Sequence, residues 1–336
     1  REKIIYSLHY LFGMGAYSKW IIAVETIALI ILFLILFNNN NQLNSVSEVN
    51  RSGLLSPRVY EGILESQSYL IVNYAPLQRE MQHYVSRQNG TISVYVVNLR
   101  DGATLGIDAN RGFAPGSLGK VPVAILIMKK VEEGKLSMDT LIDIDDADRV
   151  EYSSTLYNTS EKKLPLHVLI EKMLQGSDNT AFKILLRHIE EEDNNILSNY
   201  WGFFNPESAS PATPGSLISS RSVYGVFSSL YLSTILKPQD SEYLLGLMAD
   251  SVFNLGKIAQ IPADVRIAQK YSAWEQGNIT VFHSCGIIYP GEMKIFFCVM
   301  TQGFTEKDAV THVATIVNRI YKYSMEKRKE LDGLKE

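Results

Sequence analysis

The longest apolar run in the chain covers residues 20–37 and reads WIIAVETIALIILFLILF. A helix of that length spans about 27 Å, close to the hydrocarbon thickness of a bilayer. Three basic residues precede the run, whereas no Lys or Arg follows it before Arg51. This asymmetry predicts a single-pass anchor with residues 1–19 in the cytoplasm and the rest of the chain outside. A cleaved signal peptide and a buried core helix are the alternatives, and the Asn-rich stretch after the run argues against both.

The polar and apolar positions after the anchor predict a flexible linker and then strands at both ends of a long body. Residues 38–57 are polar and rich in Asn and Ser, which is typical of a linker. An Asp-Gly pair and a Pro-Gly pair mark hairpin turns between apolar runs. The predicted strands cover residues 91–99, 104–107, 265–271, 279–288 and 294–301.

Segments with amphipathic helical periodicity between these strands predict a helical subdomain at about residues 115–236. Within it, residues 200–220 are rich in Gly, Pro and Ser and predict a long loop, a feature that is often functional. Residues 308–323 predict a final helix, and residues 326–336 a solvated charged tail. The body at residues 58–325 is therefore expected to be α+β, with an antiparallel sheet flanked by helices and an all-helical subdomain.

Composition narrows the chemistry further. The net charge of −4 and the absence of a basic cluster argue against nucleic acid as a partner. The two cysteines form no CxxC pattern and no cluster with histidine, so neither a metal nor another cofactor is expected. A turn centred on Pro290 and Gly291 places Cys285 opposite Phe296 and diagonal to Cys298. We therefore expect two buried thiols, although a location outside the cytoplasm would permit a disulfide.

A serine and a lysine begin the helical part of the body. Pro115 and Gly116 predict a turn, and Ser117 and Lys120 follow it at the start of an apolar helical pattern. Residues three apart lie on one face of a helix, and a basic neighbour can activate a serine as a nucleophile. An ordinary capping serine beside an exposed lysine is the alternative for this stretch by itself.

A second motif favours the activated serine over the ordinary capping serine. The tripeptide Ser177-Asp178-Asn179 follows Ser117-x-x-Lys120, and this pair of motifs is the signature of serine β-lactamases and penicillin-binding proteins. Residues 113–121, 131–137 and 150–153 also stand in family order and at family-like spacing. The chain thus resembles the class A serine β-lactamase family over roughly residues 77–323.

The resemblance implies a role for each matching residue. Ser117 is expected to attack a β-lactam or acyl-amide carbonyl, and Lys120 to take or steer its proton. Ser177 is expected to relay a proton to the leaving nitrogen. Asn179 is expected to hold Lys120 and contact the substrate amide, and Tyr152 to form a wall of the cleft.

The third motif of the family, Lys-Thr/Ser-Gly, is altered here. In the matching position, Lys270 is expected to bind a substrate carboxylate, and the N–H groups of Ser117 and Ala273 to form the oxyanion hole. Tyr271 and Ser272 replace the motif's hydroxyl residue and glycine. A phenol is larger than a threonine hydroxyl, and Ser272 adds a side chain where the backbone is expected to lie open.

A rival placement of this motif at residues 283–286 keeps the glycine but has no lysine. The placement at Lys270 is preferred, because the hairpin after it then fills the next two strands of the family. We expect His283 to be a surface residue or one satisfied by hydrogen bonds, and not a catalyst.

The long loop also departs from the family. Class A enzymes carry Glu-x-x-Leu-Asn there, and that glutamate activates the water that breaks the acyl-enzyme. Glu207 is the only carboxylate between Trp201 and Arg221, but no Leu-Asn follows it. Glu207 is thus a candidate deacylation base, with an ordinary solvated loop residue as the alternative.

These features favour a serine acyl-hydrolase that resembles class A β-lactamase and opens β-lactam rings. It would be a monomer anchored by one helix in the cytoplasmic membrane of a bacterium, with its catalytic domain outside. A penicillin-binding D,D-peptidase is the first alternative, because it uses the same serine and needs no loop glutamate. A catalytically weakened domain that binds β-lactams or peptidoglycan is the second. The expected ligand is a small β-lactam or a peptidoglycan stem peptide.

Overall fold

The computed structural model describes residues 71–189, 217–276 and 279–333, together with Trp20 and Leu54. The chain divides into two compact units, Arg1–Ser52 and Gly53–Glu336. Apart from Trp20, the anchor expected at residues 20–37 lies outside the described residues, as does nearly all of the expected linker. Among the helices that are described, none is both long and apolar enough to cross a bilayer.

A five-stranded antiparallel sheet organises the second unit. Its strands are β1 (Thr91–Asn98), β2 (Thr104–Ile107), β5 (Arg266–Gln276), β6 (Ile279–Tyr289) and β7 (Ile295–Gln302), and a separate small hairpin pairs β3 (Leu141–Asp143) with β4 (Lys163–Pro165). The spatial order in the sheet is β2-β1-β7-β6-β5, so β5 forms one edge. All five predicted strands are present, and β5 continues five residues beyond its predicted end.

Helices cover both faces of this sheet. A 3-10 turn at Gly116–Gly119 leads directly into α2. The described helices are α1 (Ala75–Val85), α2 (Lys120–Glu132), α3 (Leu166–Gln175), α4 (Asn179–Leu186), α5 (Ser220–Tyr231), α6 (Pro238–Ala249), α7 (Leu255–Ile258) and α8 (Glu306–Gly333).

The helical subdomain differs from its predicted limits in two ways. The β3–β4 hairpin interrupts it, and α6, which begins after the predicted end at residue 236, packs against α2, α3 and α5. The predicted charged tail is also helical as far as Gly333. Lysine, arginine and glutamate are good helix formers, and Lys327 pairs with Glu330 one turn later at 2.6 Å, so α8 continues although this part buries little surface.

Two hydrophobic clusters lie on opposite faces of the sheet. Neighbouring residues on β7 show the division, because Phe296 belongs to the cluster shared with the helical subdomain and Phe297 to the cluster covered by α1 and α8. Helix α2 is buried around most of its circumference, which is typical of a central helix. The residues at its beginning are therefore held from several sides.

The expectation of two free thiols is wrong. The register of β6 and β7 pairs Ile288 with Ile295 and places Cys285 directly opposite Cys298, and the two cysteines form a disulfide. The connection between these strands is longer than the assumed two-residue turn. That extra length shifts the register by two residues and turns a diagonal pair into a facing one.

Candidate active site

Ser117 lies in the 3-10 turn that precedes α2, and Lys120 is the first residue of that helix. A 3-10 turn has three residues per turn, so the two side chains lie one above the other. Ser117 is partly exposed, whereas Lys120 is buried. Gly116 has φ +49°, a left-handed conformation that favours glycine. The turn thus presents the serine to solvent over a buried amine.

Lys120 Nζ is the centre of the site. It lies 3.1 Å from Ser117 Oγ, 3.1 Å from Ser177 Oγ and 2.6 Å from Asn179 Oδ1. It also donates to the backbone carbonyl of Ser177. These contacts join both sequence motifs through one nitrogen.

The contacts of Lys120 suit a neutral amine. Burial lowers the pKa of Lys120 to about 7, although the charge on Asp178 opposes the shift. The Ser177 carbonyl and Asn179 Oδ1 can only accept hydrogen bonds, so they take the two N–H groups of a neutral amine. The lone pair is then directed to a hydroxyl, and Ser117 Oγ is within reach. This arrangement can remove the proton of Ser117.

Asp178 attaches the second motif to the loop before it. Its carboxylate caps α4 by accepting from the Ala181 N–H at 2.9 Å. It also accepts from the Leu156 N–H at 3.1 Å and from Thr155 Oγ1 at 3.0 Å. Ser177, just before the cap, has φ +57°, which is uncommon for a residue other than glycine. Cap and turn together direct Ser177 and Asn179 towards Lys120.

Tyr152 lies between the second motif and β5. Its carbonyl accepts from Asn179 Nδ2 at 2.9 Å, and its hydroxyl lies 3.5 Å from the Ala273 carbonyl. The Tyr152 side chain is largely exposed. Its ring therefore extends from the helical subdomain towards the edge strand.

Lys270 is completely buried on β5. Its Nζ donates to the Tyr271 carbonyl at 3.2 Å and lies 4.7 Å from the centre of the Tyr271 ring. Burial lowers its pKa well below the ordinary lysine value, and the charge on Lys120 adds to the effect. No ion pair joins it to a carboxylate of the described part of the chain, and it makes no hydrogen bond to Ser177.

The next two residues of the altered third motif point to different surroundings. The ring of Tyr271 packs on Phe253 with centroids 4.9 Å apart, and burial raises the pKa of its hydroxyl. Ser272 is fully buried, and its Oγ accepts the Ser117 N–H at 2.9 Å. The sequence indicated that Ser272 adds a side chain here, but not that this side chain reaches the Ser117 amide.

His283 on β6 supports the same turn from below. Its Nδ1 accepts the Thr301 N–H at 3.2 Å, so Nε2 carries the proton and donates to the Ala114 carbonyl at 3.0 Å. Burial lowers the pKa of His283 to about 4, which keeps the ring neutral. The expectation of a satisfied histidine is confirmed, whereas sequence reasoning missed its role in holding the turn.

The described residues include the rival third motif but not Glu207. Residues 283–286, the rival third motif, lie on β6, one strand inside the edge strand β5 that packs against the turn of Ser117. Glu207 lies outside the described residues, as do the other residues of the predicted loop up to residue 216.

Comparison with known proteins identifies proteins that are similar to this chain in sequence and in fold. The Toho-1 β-lactamase of Escherichia coli is 25% identical over 143 residues, which is 43% of this chain and 49% of that protein. The chain thus spans about half the length of the curated relatives it matches. The structure of PBP-A superposes with a TM-score of 0.67 at 22% identity and covers 75% of this chain and 97% of that one. The TLA-3 extended-spectrum β-lactamase superposes with a TM-score of 0.66 at 18% identity, over 75% of this chain and 99% of that one.

These structural likenesses establish a common fold. The sequence profile of the β-lactamase enzyme family matches residues 76–324, a segment that contains both motifs around Lys120 and the whole five-stranded sheet. Because this match covers most of the chain, the chain belongs to the β-lactamase enzyme family.

Proposed function

We propose that this protein is a serine acyl-hydrolase that opens β-lactam rings through an acyl-enzyme on Ser117. One observation carries the proposal: the buried Lys120 Nζ contacts Ser117 Oγ, Ser177 Oγ and Asn179 Oδ1 together. A nucleophile and its base within hydrogen-bond reach, with the base oriented by a further group, is the arrangement that acyl transfer requires.

The acylation step follows from these contacts. The neutral amine of Lys120 accepts the Ser117 hydroxyl proton while Ser117 Oγ bonds to the lactam carbonyl carbon. The lactam C–N bond then breaks, and its nitrogen takes a proton through Ser177 Oγ, which lies 3.1 Å from Lys120 Nζ. Lys120 thereby returns to its neutral form. Asn179, Tyr152, Lys270, Tyr271, Ser272 and Ala273 are the proposed substrate-binding residues.

Release of the acyl group is the step that divides the candidate functions. Glu207 is the proposed base for hydrolysis, in a loop that lacks the Leu-Asn of class A enzymes. That missing motif favours a second candidate, a penicillin-binding D,D-peptidase that uses the same acylation on peptidoglycan stem peptides. A structure of a PBP-A mutant similar in fold to this chain is described as an acyl-enzyme complex with penicillin G.

We further propose that the protein works outside the cytoplasmic membrane of a bacterium, as a monomer anchored by residues 20–37. The apolar run and the basic residues before it support the anchor and its orientation. The Cys285–Cys298 disulfide supports an oxidising compartment.

The test combines turnover with intact mass. The purified chain is mixed with a chromogenic cephalosporin, and colour and protein mass are followed together. We expect a Ser117 adduct that is absent from Ser117→Ala and present in Ser86→Ala, a control at an exposed serine after α1. Sustained turnover identifies a β-lactamase, and a stable adduct identifies the penicillin-binding alternative. Absence of both adduct and turnover would exclude the two acyl-serine functions.

A further inference from the structure

We propose that the Ser272 hydroxyl occupies the oxyanion site of the resting protein and holds back acylation of Ser117. The inference rests on the proposed function, because it concerns the rate at which that serine is acylated. It assigns Ser272 as a residue that controls access to the oxyanion site, in addition to the residues that carry the chemistry.

The contact that carries this inference joins the nucleophile's own amide to β5. The Ser117 N–H donates to Ser272 Oγ at 2.9 Å, and Ser272 is completely buried. During attack, the oxygen of the lactam carbonyl becomes negative and needs this same N–H as a donor. A hydroxyl oxygen therefore already lies where the carbonyl oxygen of the substrate would have to bind.

The surrounding residues hold the hydroxyl in this position. A Cβ at Gly116 would collide with Ser272 Oγ, so glycine at 116 is what allows the approach. Ser272 pairs across the sheet with His283, which donates to the Ala114 carbonyl at 3.0 Å. Two facing residues of β5 and β6 thus hold the start of the turn on both sides of Gly116, His283 through the Ala114 carbonyl and Ser272 through the Ser117 amide.

The chemical consequence is competition for one donor. An N–H bonded to the hydroxyl is free for the oxyanion only when the Ser272 side chain rotates or the strand moves. Loss of one oxyanion donor costs other serine hydrolases about 10²–10³-fold in rate. Removing the hydroxyl should therefore accelerate acylation, whereas a hydroxyl that only stabilised the turn would slow acylation when lost. The two roles differ in the sign of the effect.

The experiment compares Ser272→Gly, Ser272→Ala and Ser272→Thr in the full chain. The measured quantities are the second-order rate of Ser117 adduct formation with a chromogenic cephalosporin and hydrogen exchange at the Ser117 amide. We expect the glycine and alanine variants to be acylated at least about tenfold faster and to exchange this amide faster than the wild type. The threonine variant retains the hydroxyl and should show neither gain. Ser284→Ala, a buried serine on β6 bonded to Gln269, controls for general loosening of the sheet and should also show neither gain.

Two outcomes would overturn the inference. The first is slower acylation in the alanine variant that the threonine variant restores, since that pattern marks a positioning residue. The second is Ser117 amide exchange that does not change when the hydroxyl is removed. If no variant forms an adduct, the proposed function is wrong, and so is the inferred effect on the acylation rate. Hydrogen exchange at the Ser117 amide that still depends on Ser272 would then support only the contact between the amide and the hydroxyl.

Discussion

Lys120 and Lys270 are both buried, and their surroundings differ. Lys120 is surrounded by four oxygen atoms from three residues, whereas Lys270 has one carbonyl and the face of an aromatic ring. A buried ammonium without compensating partners is costly, so burial lowers the pKa of both groups, to about 7 for Lys120 and well below the ordinary lysine value for Lys270. Lys120 is the better placed of the two to exchange a proton near neutral pH.

The lowered pKa of Lys120 predicts the pH dependence of acylation. Below about 7 the amine is protonated and has no lone pair for the Ser117 hydroxyl, whereas above that pH it is neutral. The rate of Ser117 adduct formation should therefore rise from about pH 6 to pH 8 and then level off. Stopped-flow measurements with a chromogenic cephalosporin over this range give the midpoint.

Two variants sharpen this measurement. Lys120→Gln should be acylated about 10²–10⁴-fold more slowly than the wild type, and its rate should not rise with pH. Lys163→Gln, a change at an exposed lysine of β4, should keep the wild-type acylation rate and its rise with pH. A rate that is flat between about pH 6 and 8 would contradict the role of Lys120 as base.

At the scale of elements, the candidate active site depends on a loop that is hydrogen-bonded to the start of α4. The Asp178 carboxylate accepts hydrogen bonds from the start of α4 and from the loop at residues 154–156. Since Asn179 begins that helix and binds both Lys120 and the Tyr152 carbonyl, the same carboxylate sets the distance between the motifs. The Asp178 carboxylate therefore contributes both to the stability of the fold and to the geometry of the site.

Removing this carboxylate should therefore affect both properties. We expect Asp178→Ala to lower the free energy of unfolding by about 2–4 kcal/mol, because several buried N–H and O–H donors lose their acceptor. Urea unfolding followed by circular dichroism measures the loss, and the adduct assay should show slower acylation. Asp146→Ala removes an exposed carboxylate bonded to Arg149 and should cost less than about 1 kcal/mol. Equal losses in the two variants would contradict the structural role of Asp178.

At the scale of the whole molecule, one sheet separates two cores and joins them. The helical subdomain packs on one face, and α1 and α8 cover the other. Because β1, β6 and β7 contribute residues to both clusters, loss of either core removes the support of the same strands. The turn that carries Ser117 lies against β5 at the edge of this shared sheet.

The shared sheet predicts cooperative unfolding. Phe296→Ala and Phe297→Ala remove fully buried rings from opposite faces, and each should cost about 3–5 kcal/mol. Both variants should show a single urea transition in which fluorescence and circular dichroism coincide. Val252→Ala, at a residue that is mostly exposed, should change the free energy of unfolding by less than about 0.5 kcal/mol. Separate transitions in the phenylalanine variants would indicate two independent cores.

Local patterns along the chain determined much of this architecture. Alternating apolar residues predicted the strands, and helical spacing after Gly116 predicted α2 with Ser117 and Lys120 on one face. These predictions succeed because side-chain direction within a strand or helix follows from the backbone period alone. The family resemblance that the two motifs carry implied, in addition, that Asn179 would hold Lys120, and the two side chains lie 2.6 Å apart. The β3–β4 hairpin was missed because its strands are only three residues long.

Only the tertiary structure decided the contacts between elements. The length of the β6–β7 connection determines whether Cys285 faces Phe296 or Cys298, and a two-residue difference in register is invisible in the alternation itself. In the same way, the sequence places a hydroxyl at Ser272, but the packing of β5 against the turn brings it to the Ser117 N–H. The sequence by itself therefore determined the strands and pointed to Ser117 and Lys120 as the proposed nucleophile and base. The register and the contact between Ser272 and the Ser117 amide depend on distances between segments that are far apart in the chain.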